Sequence, residues 1–130
     1  MLAYIPFIAL VIAIFWAIVF LQSGLDKVLD WSGNLSWLKG HFAQSPLRNL
    51  VPLLLATLTV VELAAGLVSG FGATQIVVYG DTDYARYGVQ LSAVALLMLF
   101  FGQRMSKEYA GAATIATYFA VVLLSLFLLI

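Results

Sequence analysis

The sequence contains 130 residues, of which 64% are hydrophobic and 9% are charged, and its formal net charge is zero. A soluble domain has roughly 25% charged residues, so this composition excludes an ordinary soluble domain and indicates an integral membrane protein. The balanced charge provides no basic surface for nucleic acid, and the sequence has no cysteine for disulfides, thiol catalysis or iron–sulfur ligation.

The first predicted transmembrane helix spans residues 3–25 and is apolar almost throughout. It is long enough to cross a bilayer, because about 20 residues at about 1.5 Å each match a hydrocarbon core of roughly 30 Å. Its start lacks the basic stretch and the small-residue cleavage site of a secretory signal, so we expect the helix to be retained. Polar residues return near its end with Gln22 and Lys27, which mark the membrane surface, since a lysine there reaches the headgroups.

Residues 31–47 form the longest polar connection. Leu35, Leu38 and Phe42 recur at helical spacing and would share one face of a helix. This pattern predicts a short amphipathic helix that lies in the membrane interface. A plain loop with scattered aromatic residues is the alternative.

Three residues of this connection are predicted to lie at the interface: Trp31, Trp37 and His41. Tryptophan favours the boundary between lipid and water, where its ring is buried and its N–H group is hydrated. His41 is the only histidine, and we interpret it as an interfacial polar residue and not as a ligand. The sequence shows no cluster of His or carboxylate residues, so we expect no metal site.

The second predicted helix spans residues 48–70 and carries Glu62, which lies in an otherwise almost wholly apolar run from Leu50 to Phe71. Glu62 lies about 18 Å from the near end of this run, close to the bilayer midplane. An acid at that depth costs about 2.5–3.5 kcal/mol or more, and other groups must offset this cost. The candidate intramembrane polar site is therefore Glu62 with Gln90, Lys27 and Gln22.

Glycines are predicted to mark the contacts between helices. Gly66 and Gly70 lie four residues apart on helix two and form a pair that lets a neighbouring backbone approach closely. Gly24 on helix one is the third predicted packing residue. We interpret these glycines as packing within the bundle, with a dimer motif as the alternative.

The third and fourth predicted helices span residues 84–102 and 109–130. The first half of helix four is rich in Ala, Gly and Thr, which suits close contact with another helix. Its second half is bulky and apolar, and we expect it to face lipid. The chain is thus predicted to be an all-α integral membrane four-helix bundle, a single domain over residues 1–130, with a short interfacial helix between helices one and two.

Basic residues are distributed unevenly between the two ends of this bundle. The first and third connections carry Lys27, Lys39, Arg48, Arg104 and Lys107, whereas the second connection and both termini carry only Arg86. The positive-inside rule therefore places connections one and three in the cytoplasm and both termini outside. We expect a multi-pass protein of the bacterial inner (cytoplasmic) membrane.

Glu62 has two interpretations. Intramembrane acids usually mark function, so it can be a protonatable site, part of a proton relay or the polar end of a quinone pocket. It can also be a protonated acid that hydrogen-bonds across helices and holds them together. The sequence leaves both interpretations open.

Three stretches form a recognisable pattern: residues 23–29 read Ser-Gly-Leu-Asp-Lys-Val-Leu, residues 62–68 read Glu-Leu-Ala-Ala-Gly-Leu-Val, and residues 107–110 read Lys-Glu-Tyr-Ala. They resemble, in this order, the end of helix one, the second-helix pattern and the opening of helix four in the DoxX-like family of small membrane proteins.

The resemblance implies a four-helix membrane bundle that works beside quinone-dependent or sulfur-related redox systems. It implies that Gly24, Lys27, Glu62 and Gly66 are the characteristic residues.

We therefore expect a non-catalytic accessory subunit of a larger respiratory or quinol-linked membrane complex, which stabilises that complex or helps to shape a quinone or lipid site. We expect no covalently bound cofactor, quinone or lipid as the ligand if one binds, membrane lipids and other membrane subunits as partners, and no catalytic activity of its own. One alternative is a quinone-interacting oxidoreductase subunit that uses Glu62 and Lys27. The other is a small proton-coupled transporter.

Overall fold

The computed structural model describes the backbone of residues 4–130 and the side chains of residues 6–130. A 3-10 turn, Arg48–Leu50, leads into the second long helix. The predicted start of helix one at residue 3 lies outside the described residues. The described residues form five α-helices: α1 (Tyr4–Leu29), α2 (Trp31–His41), α3 (Val51–Tyr79), α4 (Asp83–Met105) and α5 (Tyr109–Leu128).

Four of these helices, α1, α3, α4 and α5, are long and apolar enough to cross a membrane. The short helix α2 lies between the first two of them, and residues 4–130 contain no β-strand. The prediction of an all-α membrane bundle with a short additional helix is therefore confirmed. The alternative of a plain loop after helix one is wrong.

The helix α3 continues to Tyr79, beyond the predicted end at residue 70. Glycine disfavours a helix interior, but Gly72 lies inside α3 at a point where α4 comes very close. A Cβ atom on Gly72 would lie only 2.6 Å from the backbone nitrogen of Ala85. The helix ends instead at Tyr79, and Gly80 follows it with the left-handed φ of 69° that is common just after a helix.

The helix α3 is the centre of the bundle. It packs against α1 on one side and against α4 on the other, while α5 packs mainly against α4. The buried core draws Trp16 and Phe20 from α1, Ala65 from α3 and Val89 from α4. This arrangement places the polar groups of α1 and α3 within reach of each other.

A buried hydrogen bond joins the first span to the last. Trp16 Nε1 donates to Ser125 Oγ on α5 at 3.1 Å. The hydroxyl of Ser125 in turn donates to the carbonyl of Val121 at 2.9 Å, and the Trp16 ring stacks on Phe20 with ring centres 5.9 Å apart. These contacts fix α5 relative to α1, and the two helices share few other contacts.

Candidate functional site

Lys27 and Glu62 form an ion pair between α1 and α3. Lys27 Nζ lies 2.8 Å from Glu62 Oε1, and the side chain of Glu62 is 0% exposed whereas that of Lys27 is 14% exposed. Lys27 lies in the last turn of α1, because this helix runs on to Leu29, and Glu62 lies in the middle of α3. The positive charge beside the intramembrane acid therefore comes from the chain itself.

Lys27 is also held by its own helix. Its Nζ donates to Ser23 Oγ at 2.8 Å and to the Ser23 carbonyl at 3.4 Å. An ammonium group has three N–H donors, so Ser23 and Glu62 can occupy them together. Ser23 was not among the predicted site residues. Its spacing of four residues from Lys27, which places both side chains on one helix face, is the signal that identifies it.

The carboxylate of Glu62 is less completely satisfied than the ammonium. Neither carboxylate oxygen receives a hydrogen bond of good geometry, although Oε1 lies 2.8 Å from Lys27 Nζ. We describe this contact as an ion pair, because the attraction between charges depends on their distance and not on a bond angle. The second oxygen, Oε2, has no hydrogen-bond partner among the described residues. Glu62 is therefore able to accept a further hydrogen bond.

Two glycines explain why the pair forms at this point. A Cβ atom on Gly24 would lie 2.6 Å from Leu63 Cδ2, and one on Gly66 would lie 2.7 Å from the backbone nitrogen of Leu21. Both separations are shorter than van der Waals contact, so α1 and α3 approach this closely only because neither glycine has a side chain. The ion pair lies about one helical turn from these contacts.

The other predicted residues lie elsewhere. The side chains of Gln22 and Gln90 are exposed, and neither bonds to Glu62. Gly70 is half-buried, and a Cβ atom there would make an ordinary contact of 4.0 Å with the Ala17 Cβ. The structure thus brings together Lys27 and Glu62 but neither glutamine.

The three predicted interfacial residues all belong to α2. Trp31 and His41 are half-buried and Trp37 is exposed. The rings of Trp37 and His41 stack with centres 4.6 Å apart and planes inclined by 15°. Among residues 4–130, no group of three His, Asp or Glu side chains is arranged to hold a metal ion.

The ion pair can do two things. Burying two charges costs several kcal/mol for each ion, and their mutual attraction offsets this cost while both are present. The pair therefore ties α1 to α3 within the membrane. Glu62 Oε2 is a second, unpartnered acceptor, but the side chain is 0% exposed, so a donor from outside the chain reaches it only if neighbouring side chains move apart.

No family model matches this chain, and neither a curated protein nor a solved structure matches it. A function for the chain therefore has to rest on its internal contacts and on the surfaces that those contacts leave uncovered.

Proposed function

We propose that the chain is a non-catalytic accessory subunit of a larger respiratory or quinol-linked membrane complex. The observation that carries this proposal is the uncovered surface of α5. This helix packs mainly against α4. Only 17% of its apolar stretch is buried inside the bundle, compared with 33% in each of the other three spans. Most of its surface is thus available to lipid or to another membrane protein.

The uncovered surface of α5 has the composition of a helix contact. Ala110, Ala113, Thr114 and Thr117 are exposed and recur at the spacing of one helix face. The two threonine hydroxyls donate to carbonyls of their own helix at 3.3 and 3.2 Å, so the face leaves neither hydroxyl unpaired. Small residues let a second backbone approach closely, and we infer that a helix of another subunit packs there.

The ion pair supports a structural role for the chain. Lys27 and Glu62 lie 2.8 Å apart, so each buried charge is compensated within the chain and the pair joins α1 to α3. The resemblance of residues 23–29 and 62–68 to DoxX-like proteins supports the link to redox complexes of the bacterial inner membrane. The excess of basic residues in connections one and three supports their position in the cytoplasm.

The test of this proposal is the size and composition of the particle in mild detergent. Purified gently from its native membranes, the chain should migrate with other membrane subunits, which mass spectrometry identifies. Ala113→Leu should remove those subunits, because leucine blocks close approach of a helix to α5. Ala56→Leu is the matched control, since Ala56 is exposed on α3, which packs mainly on α1 and α4 and not on α5. A chain that migrates alone, at its own mass plus detergent, contradicts the proposal.

A second candidate is a quinone-interacting subunit that uses Glu62 and Lys27. The unpartnered Oε2 of Glu62 favours it, because a quinol hydroxyl is a donor of suitable chemistry, although the fully buried side chain would have to become accessible for the two to meet. With no flavin, haem or thiol in the chain itself, a partner would have to deliver the electrons. Glu62→Gln should then slow quinone reduction in the reconstituted complex, and unchanged turnover excludes this role.

The ion pair favours a structural role of Glu62 over proton-coupled transport, because Lys27 lies 2.8 Å from the carboxylate and the pair joins α1 to α3. Proton-driven uptake into vesicles that is abolished by Glu62→Gln would restore this alternative.

A further inference from the structure

An apolar cavity of about 170 Å³ lies between α2, the first turns of α3 and the last turns of α4. Along α3 its lining extends from Val51 to Leu58, so it reaches about 10 Å from the start of that helix into the bundle. Neither Lys27 nor Glu62 lines it. Its walls are formed by apolar side chains from all three helices, among them Trp37, Phe42, Val51, Leu55, Leu58 and Leu99.

The cavity opens at the surface of the bundle. Trp37 and Phe101 both line it and are 62% and 55% exposed. Leu54 and Leu58 are half-buried, so they lie between the interior of the cavity and the surface. The opening is thus bordered by apolar side chains, which is the surface that a hydrocarbon chain in the bilayer meets.

The volume of the cavity fits part of an acyl chain. An apolar protein cavity of about 150 Å³ holds one benzene molecule, which has six carbon atoms. A cavity of about 170 Å³ therefore holds a segment of about six or seven carbons of an acyl chain. Lipid tails are as apolar as these walls, so the walls alone favour no particular lipid, and any selection has to come from the headgroup.

Three basic residues adjoin the polar end of this cavity: Lys39, Arg48 and Arg104. Each directly follows a residue that lines the cavity, the first in α2, the second just before α3 and the third near the end of α4. All three are exposed, and none forms an ion pair with an acidic side chain among residues 6–130. Glu108, the acid nearest to Arg104 in sequence, instead accepts a hydrogen bond from the backbone nitrogen of Gly111 at 3.3 Å. The three positive charges are therefore available to an anion.

Arg104 is oriented by an aromatic ring. Its guanidinium carbon lies 4.8 Å from the centre of the Tyr109 ring. Stacking of this kind uses the flat face of the guanidinium group and leaves the N–H groups at its edge free. Because those N–H groups match the spacing of phosphate oxygens, arginine binds phosphate through two parallel hydrogen bonds.

We propose that this site binds an anionic phospholipid, with a segment of one acyl chain in the cavity and the phosphate at Arg48 and Arg104. Lys39 supplies a third positive charge. Basic residues beside a gap between membrane helices recognise anionic headgroups in this way. The site shares no residue with the ion pair or with the exposed face of α5, so the proposal goes beyond the subunit role and does not depend on it.

The test measures lipid binding by the purified full chain in maltoside micelles, where lipid enters only by titration. Bromine atoms on an acyl chain, placed near the headgroup, quench the fluorescence of Trp37 when that chain enters the cavity. Brominated phosphatidylglycerol should quench saturably, with one site per chain. Brominated phosphatidylcholine, which has the same chains and no net charge, should bind at least tenfold more weakly. Trp37→Phe should remove the saturable signal, and its persistence would overturn the proposal.

Two substitutions test the headgroup contacts. Arg48→Gln and Arg104→Gln should each raise the Kd for phosphatidylglycerol about fivefold and leave that for phosphatidylcholine unchanged. Arg86→Gln is the matched control, because Arg86 lies at the opposite end of α4, 3.2 Å from Asp83, and it should change neither Kd. Equal affinity of the two lipids for the unaltered chain would overturn the proposal and show that the cavity takes acyl chains without regard to the headgroup.

A further substitution tests the cavity itself. A Cβ atom on Gly102 would lie 3.5 Å from Phe42 Cζ, an ordinary contact, so Gly102→Leu fits the backbone and fills part of the cavity. It should abolish saturable quenching. Gly40→Leu is its control, because a Cβ atom on Gly40 meets no atom within 4 Å and Gly40 does not line the cavity. Circular dichroism and gel filtration confirm that each variant is folded.

Glycerol 3-phosphate separates a lipid site from a site for free phosphate. It carries the phosphate without acyl chains and should not displace brominated phosphatidylglycerol. Displacement by glycerol 3-phosphate, or unchanged lipid binding by Gly102→Leu, would overturn the proposal, because either result shows that the cavity does not hold the acyl chain.

Discussion

At the scale of single residues, the bundle depends on a small group of polar side chains. Glu62 is fully buried, and Lys27 reaches it from α1 at 2.8 Å. Ser23 holds the ammonium group from the other side at 2.8 Å. Because each charge alone would be strongly unfavourable in this position, the three side chains act together.

The hydroxyl of Ser23 is expected to contribute measurably to stability. Ser23→Ala removes a hydrogen bond to a charged group and should lower the free energy of unfolding by about 1.5–3 kcal/mol. Ser36→Ala is the control, because Ser36 is exposed on α2 and its loss should change stability by less than about 0.5 kcal/mol. Unfolding by dodecyl sulfate in mixed micelles measures both, and equal effects of the two substitutions would refute the role of Ser23.

At the scale of helices, the close approach of α1 and α3 determines which residues meet. A Cβ atom on Gly66 would lie 2.7 Å from the Leu21 backbone nitrogen, so this contact tolerates no side chain. The same contact brings the last turn of α1 alongside the middle of α3. The geometry of the ion pair thus depends on residues that carry no charge.

Two glycine substitutions should therefore have opposite effects. Gly66→Ala forces α1 away from α3 and should destabilise the bundle by about 1–3 kcal/mol. Gly40→Ala, in α2, meets no atom within 4 Å and should stabilise by about 0.5–1 kcal/mol, because alanine favours a helix. Unfolding of both variants in mixed micelles shows whether each free energy of unfolding rises or falls. A stable Gly66→Ala protein with an unchanged ion pair would contradict the close contact between α1 and α3.

The helices themselves were largely predictable, because a run of about 20 apolar residues has the length and composition of a transmembrane helix. The end of α3 was not, since the predicted helix ends at residue 70 whereas α3 continues to Tyr79, past the close contact of Gly72 with Ala85.

The site was predictable only in part. Glu62 stands out as an acid in an apolar run, but the position of Lys27 near a polar boundary suggested a headgroup contact. Its pairing follows from the extension of α1 to Leu29 and from the approach of α3. The packing of α2 on α3 depends on the turn that follows α2, and no local pattern in the sequence reports that.

At the scale of the whole molecule, the proposed orientation in the membrane can be tested directly. The sequence has no cysteine, so a single introduced cysteine reports its own side without a background. Thr82→Cys, in the second connection, should react with a membrane-impermeant maleimide on intact cells. Ser36→Cys, in α2, should react only after the membrane is permeabilised. The reverse labelling pattern would show that the chain has the opposite orientation in the membrane, without any change to the bundle itself.

The whole account depends most on the coupling between Lys27 and Glu62, which a double-mutant cycle measures. Lys27→Met and Glu62→Met should each lower the free energy of unfolding by about 3–5 kcal/mol, because each leaves one buried charge unpaired. The double variant should lose less than either single variant, because the apolar pair carries no charge. Single losses that simply add in the double variant would contradict a buried ion pair between α1 and α3.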